Sequence, residues 1–295
     1  MPRPFVPFAL SALLLAGCAP AAPAPASPLF LDPPEVDAEY PPQMIELAIP
    51  VGDVVMNGIV LTANGVGPHP GVLLLHAYPG FEQNLDLAQA LRRVGFSVFT
   101  FHYRGTWGSG GAFSWDRSLE DVAHATAYLQ EEAERFRIDP DQVALVGHSF
   151  GGILSLRAGP ASDGFSCVVS LAPEDWTQWL DTEGDRQSIV DYLAGVHAVR
   201  GYPPETALAD LVEGRDEWAL DTLMRRLGET PVLIVNASDD SSFDSATRER
   251  YTALAREAGA TALTSLAIEG ADHSFNGRRI ELIETVARWM EGACR

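Results

Sequence analysis

The pentapeptide Gly147-His148-Ser149-Phe150-Gly151 stands between an apolar, β-branched run, Gln142 to Val146, and a segment able to open a helix, Gly152 to Ala158. That context constrains the fold more than any other stretch. An uninterrupted apolar run reads as a buried parallel strand, and a strand that passes directly into a helix must make a tight turn. A serine at such a junction is held on a strained backbone with its hydroxyl exposed, and glycines flank it because side chains there would collide with the neighbouring strand and helix. Five letters alone are a weak signal; placed between a strand and a helix, they predict a nucleophile.

A nucleophilic serine needs a general base and a carboxylate to orient that base, and with this strand-turn-helix they follow in the order serine, acid, histidine. A second buried-strand run, Pro231 to Val235, ends at Asn236-Ala237-Ser238-Asp239-Asp240, a carboxylate-rich turn. After a helical stretch and the strand-like Ala262 to Ile268 comes Gly270-Ala271-Asp272-His273-Ser274-Phe275. Of the seven histidines, His273 alone follows an acid-bearing strand end in this order: His76 ends a strand, His148 precedes the serine, and His69, His102, His124 and His197 lack such a strand. His273 is therefore the predicted base. Asp239 and Asp240 are adjacent, and the spacing alone leaves both open as the acid. One oxyanion donor is the Phe150 amide, directly after the nucleophile.

These motifs resemble the α/β-hydrolase superfamily. The resemblance implies that the acid lies three residues beyond the small residue closing its strand, which from Ala237 gives Asp240. It also implies a second oxyanion donor in His76-Ala77-Tyr78-Pro79-Gly80, after the strand Gly71 to Leu75; likeness to His-Gly-x-x-Gly loops points to the Tyr78 amide, with Ala77 where glycine is commoner.

Composition removes competing chemistries. All 20 basic residues are arginine, so a Ser-Lys dyad, a Schiff-base lysine and a G-x-x-x-x-G-K phosphate loop are excluded. No His-Glu-x-x-His or paired Cys-x-x-Cys spacing points to a metal, and no cofactor is expected. A formal net charge of -20 argues against nucleic acid and acidic lipid as partners.

At the N-terminus, Arg3 precedes an apolar segment, Phe5 to Leu15, too short to span a bilayer, and Leu15-Ala16-Gly17-Cys18 follows. This resembles a bacterial lipobox, implying removal of residues 1–17, lipidation of Cys18 and membrane anchoring on the exported side, at the outer membrane if the cell is Gram-negative. The Pro- and Ala-rich stretch up to residue 42 reads as an extended tether. Of the two remaining cysteines, Cys167 reads as a small buried hydrophobe and Cys294 as a mobile terminal thiol, a disulfide between them being the alternative.

Residues 43–295 read as one domain. Met44 to Ile49 and Val54 to Thr62 form a predicted antiparallel pair, and strands near 71–76, 96–101, 142–147, 165–171, 231–236 and 262–268 alternate with helices, predicting an eight-stranded, mostly parallel α/β sheet. Leu85, Ala88, Leu91 and Val94 share a predicted helix face, and Ser118 with Asp121 reads as a capping box opening the next helix. Residues 173–230 interrupt the alternation and read as a small helical cap after strand 6, with Trp176, Trp179, Tyr192, Tyr202 and Trp218 either lining a pocket or packing the cap onto the sheet.

Two stretches, His76-Ala77-Tyr78-Pro79-Gly80 with Asn84-Leu85-Asp86-Leu87-Ala88, and Phe101-His102-Tyr103-Arg104-Gly105-Thr106-Trp107-Gly108-Ser109-Gly110-Gly111, resemble stand-alone bacterial hydrolases of the prolyl-oligopeptidase type across roughly residues 70 to 290. The chain is too short to hold the propeller that filters peptides in larger relatives. Arg104 reads as an ion-pair anchor of the glycine-rich loop rather than a substrate contact. The expected activity is serine hydrolysis of carboxylic esters, with short peptides or acyl-aminoacyl amides as the alternative, and a catalytically silent binding lipoprotein as the competing class.

Overall fold

The computed structural model describes residues 27–241 and 243–294. The predicted signal segment, Cys18 and the start of the tether lie outside them. From residue 27 the chain already lies along the domain: Ser27 caps a 3-10 turn, Pro28–Phe30, and Leu29 is buried among side chains of the first and last helices.

Eight strands form one sheet: β1 (Gln43–Val51), β2 (Val54–Thr62), β3 (His69–Leu75), β4 (Ser97–Phe101), β5 (Ile138–His148), β6 (Cys167–Leu171), β7 (Val232–Ala237) and β8 (Leu263–Ile268). Their spatial order is β1-β2-β4-β3-β5-β6-β7-β8. β1 with β2 and β2 with β4 are antiparallel; every pairing from β4 onward is parallel. Both faces of the central strands are covered, so β4, β6 and β7 are buried along their whole length. This is the α/β-hydrolase architecture that the motif resemblance implied, with the mostly parallel sheet expected from the alternation of strand and helix.

The helices are α1 (Leu85–Arg93), α2 (Trp115–Glu131), α3 (Ala133–Phe136), α4 (Phe150–Ala158), α5 (Glu183–Ala194), α6 (Pro204–Glu213), α7 (Arg215–Trp218), α8 (Leu220–Met224), α9 (Ser245–Glu257) and α10 (Arg279–Ala293). α1 and α10 cover one face of the sheet; α2, α4, α9 and the segment between β6 and β7 cover the other. In α1 the buried residues are Leu87, Ala88, Ala90 and Leu91, whereas Leu85 is exposed, so the apolar stripe is rotated from the predicted one.

Two local expectations are corrected. Ser114, not Ser118, caps α2 by accepting the Arg117 amide, and Ser118 instead donates to the Ser114 carbonyl one turn back. Asp121 is no capping residue: it is buried and holds the backbone amide and guanidinium of Arg104, which also reaches Glu120 at 2.7 Å. Arg104 thus anchors the glycine-rich loop after β4. The cysteines form a disulfide, Cys167–Cys294, where one buried thiol and one mobile thiol were expected. It ties the end of α10 to central strand β6, and Ser166 reinforces the join through the Cys294 carbonyl at 3.3 Å.

Between β6 and β7 lie a 3-10 turn, Trp176–Trp179, and α5 to α8. Asp175 fastens this segment to the body. Its buried carboxylate accepts from the Thr177 amide and hydroxyl at 2.9 and 2.6 Å, the Leu220 amide at 3.0 Å and the Tyr251 hydroxyl at 3.3 Å. A second join pairs Arg200 with Gly105 and Phe113 through their backbones.

Candidate active site

The turn from β5 into α4 is forced by contacts that only glycine permits. A Cβ on Gly147 would fall 1.9 Å from the Gly151 carbonyl oxygen, and one on Gly151 would fall 2.5 Å from that of Leu75 and 2.7 Å from that of His76. Ser149 between them has φ +56° and ψ −116°, a conformation that costs a non-glycine residue about 1–3 kcal/mol. Its amide donates to the Leu171 carbonyl at 2.8 Å, which locks the turn to β6. Close packing of Gly151 on the end of β3 also sets the 76–80 loop beside the N-terminus of α4.

The structure brings Ser149, His273 and Asp240 together. Ser149 Oγ lies 2.9 Å from His273 Nε2, and His273 Nδ1 donates to Asp240 Oδ2 at 2.6 Å. Ser149 follows β5, Asp240 follows β7 and His273 follows β8, so three parallel strands, with β6 between the first two, deliver the side chains from their C-terminal ends. Asp239 turns away: its carboxylate accepts from the Ser238 hydroxyl at 2.9 Å and its amide donates to the Ala271 carbonyl. Burial alone would lower the pKa of His273, but the Asp240 hydrogen bond and the charge of Glu174 outweigh it and hold the imidazole above the ordinary 6.5.

Phe150 is the first residue of α4, where backbone amides lack intrahelical acceptors, and neither its amide nor that of Tyr78 meets a backbone acceptor among the described residues. The Tyr78 ring packs on Phe150, Phe113 and Trp115, and the peptide bond to Pro79 is cis. Glu82 steadies this loop by accepting the Ala77 amide on its carbonyl and the Asn84 amide on its carboxylate. Arg279 then joins it to the His273 loop, donating to Asn84 and Asp86 on one side and to the Ser274 carbonyl on the other.

His148 lies behind His273. Its Nε2 donates to the His273 carbonyl at 2.8 Å, and burial, with the nearby imidazole of His273, lowers its pKa to about 3. His76 is likewise pushed by burial to about 3 and donates from Nδ1 to the Ala77 carbonyl at 2.7 Å. Both rings are neutral hydrogen-bonding struts.

Sequence reasoning missed Glu174. This residue, in the loop after β6, places Oε2 3.3 Å from Ser149 Oγ and 3.7 Å from His273 Nε2. Burial raises its pKa. The signal available was only its position, shortly after a strand adjacent to the nucleophile strand. Glu174 opens onto a cavity of about 490 Å³ walled by Trp176, Trp179, Ile189 and Tyr192, with His273 at its edge. The remaining aromatics of the segment divide differently: Trp218 is buried beneath an Arg157 guanidinium, and Tyr202 packs on Phe113 and Trp115.

Residues 83–295 match the Peptidase_S9 family model, described as the prolyl oligopeptidase family. Among solved structures, the fold is shared with Est1E from Butyrivibrio proteoclasticus with ferulic acid bound, at TM-score 0.65 and 16% identity, covering 84% of this chain and 98% of that one. A carboxylesterase from a metagenomic library, EstE1, gives TM-score 0.61 at 18% identity, covering 87% and 91%. A putative dipeptidyl aminopeptidase IV from Bacteroides ovatus gives TM-score 0.63 at 16% identity over 85% of this chain, which spans only 36% of that relative's length. No curated protein matches the chain.

Proposed function

This chain belongs to the prolyl oligopeptidase family and is a serine hydrolase, and on that premise we propose that Ser149, His273 and Asp240 cleave carboxylic esters through an acyl-enzyme. The observation that carries the reading is the unbroken contact series from Ser149 Oγ through His273 to Asp240 Oδ2. His273 Nε2 takes the hydroxyl proton as Ser149 Oγ bonds to the carbonyl carbon, and Asp240 stabilises the imidazolium that results. The tetrahedral oxyanion rests on the amides of Phe150 and Tyr78. Collapse breaks the bond between the acyl carbon and the alkoxy oxygen, and His273 gives that oxygen its proton as the alcohol leaves. Water then gives a proton to His273 as its oxygen bonds to the acyl carbon, and the second collapse breaks the bond to Ser149 Oγ, which takes the proton back from His273 as the carboxylic acid leaves.

Esters are favoured because small esterases are matched over nearly their whole length, whereas the dipeptidyl aminopeptidase is matched over 36%. The family match supports short peptides or aminoacyl amides as the second reading. Treatment with a fluorophosphonate should label Ser149 alone, and Ser149→Ala should lose labelling and at least about 10⁴-fold in ester turnover while keeping its melting temperature. Full activity in that variant would end the assignment.

We further propose that the protein is exported and held at a membrane through lipidated Cys18. The lipobox-like Leu15 to Cys18 supports this, as does the disulfide, since such bonds persist in oxidising compartments. Incorporation of an alkynyl fatty acid by the intact chain but not by Cys18→Ala is the expected result; equal incorporation refutes it.

A further inference from the structure

Glu174 has no function in ester hydrolysis as set out above, and its position works against it. A carboxylate 3.3 Å from the attacking oxygen repels the negative charge that develops on the tetrahedral intermediate, and it offers the Ser149 proton an alternative acceptor to His273. Such a group usually faces a fixed cation. Here the chain contains no lysine, and among the described residues His273 is the one basic group paired with Glu174, while the charge of Asp240 acts against it.

We propose that Glu174 receives the free α-ammonium group of the acyl half of the substrate, so that this enzyme acts on unblocked aminoacyl esters or amides in preference to N-acylated ones. This rests on Ser149 being the nucleophile. The distances suit an amine carried by the acyl residue itself. Its nitrogen lies about 2.5 Å from its own carbonyl carbon. With that carbon about 3 Å from Ser149 Oγ before attack and Glu174 Oε2 3.3 Å from the same oxygen, the ammonium comes within reach of the carboxylate. The cavity suits the rest of such a substrate. Trp176, Trp179, Ile189 and Tyr192 supply an apolar, aromatic wall for a large side chain, and Asp185 adds a second carboxylate to the same lining.

Binding of the ammonium has a consequence for the chemistry. It neutralises Glu174, removing the repulsion on the oxyanion, and it engages the carboxylate so that the Ser149 proton is left to His273. A neutral N-acyl substrate does neither.

The test compares kcat/KM for L-phenylalanine methyl ester and its N-acetyl derivative in the whole protein and in Glu174→Gln, with fluorophosphonate labelling of both. The wild type should favour the free amine by roughly ten- to a hundredfold, the worth of one charged hydrogen bond. Glu174→Gln should lose that preference by slowing the free amine and quickening the N-acetyl ester, a crossover that loss of packing cannot produce. Equal rates in a wild type that labels at Ser149 overturn this inference alone, as does a variant that slows both esters alike. Absence of labelling and of turnover overturns it together with the nucleophile assignment.

Discussion

His273 sits between two carboxylates of unequal accessibility. The Asp240 side chain is 7% exposed and bonded to Nδ1, while Glu174 is 24% exposed and faces Nε2 from the cavity side. Both favour the imidazolium, so in its proposed role as base His273 is active only above its raised pKa, and activity should fall as pH drops through that value. With N-acetyl-phenylalanine methyl ester, which carries no titrating amine, the acid limb of kcat/KM should have its midpoint above 6.5. Glu174→Gln removes a charge that stabilises the protonated ring, so the midpoint should move to lower pH; an unmoved limb would show that Glu174 does not act on the base. His76 and His148, with pKa values near 3, remain neutral throughout and add nothing to this profile. At this scale the strained turn at Ser149 was legible because few sequences permit that backbone. His273 followed from chain order, and the choice of Asp240 over Asp239 needed the family likeness, since adjacent residues differ only in direction. Glu174 was invisible: nothing local marks a glutamate after a strand, and its significance arises only when β6 pairs with β5.

Elements carry the site through their ends. The β5–α4 turn is fixed by Gly147 and Gly151, whose hydrogens are the only substituents that fit, and the segment between β6 and β7 hangs on Asp175. Asp175→Ala strips partners from two buried amides and two hydroxyls; the hydroxyls can rotate to new partners and the fixed amides cannot, so at about 1–3 kcal/mol for each buried amide left unsatisfied the expected loss is about 2–6 kcal/mol of unfolding free energy. Because the same residue places the wall of Trp176 and Trp179, KM should rise more than kcat falls at temperatures where the variant stays folded. A variant with unchanged denaturant midpoint would refute this. Strand positions were readable from their apolar runs, since buried parallel strands admit little else. Helix starts were less so. Ser114 and Ser118 are both competent caps by composition, and what separates them is that Asp121 is claimed by Arg104, a contact bridging 17 positions that no local pattern records.

For the molecule as a whole, the alternation of strand and helix across residues 43–295 was enough to give the sheet and its antiparallel first edge. The closure of the chain was not. Cys167 and Cys294 are separated by 127 positions and only the docking of α10 beside β6 brings them together, with Cα atoms 5.2 Å apart. The bond therefore encloses most of the segment that supplies the pocket wall, Asp240 and His273, while Ser149 precedes it. A protease that nicks the chain at exposed Gly195 or His197 separates the polypeptide that carries Ser149 from the one that carries Asp240 and His273, yet leaves the two halves covalently joined. On a gel the nicked protein should run as one fluorophosphonate-labelled band until a reductant is added, and then as two, with all of the label on the amino-terminal fragment.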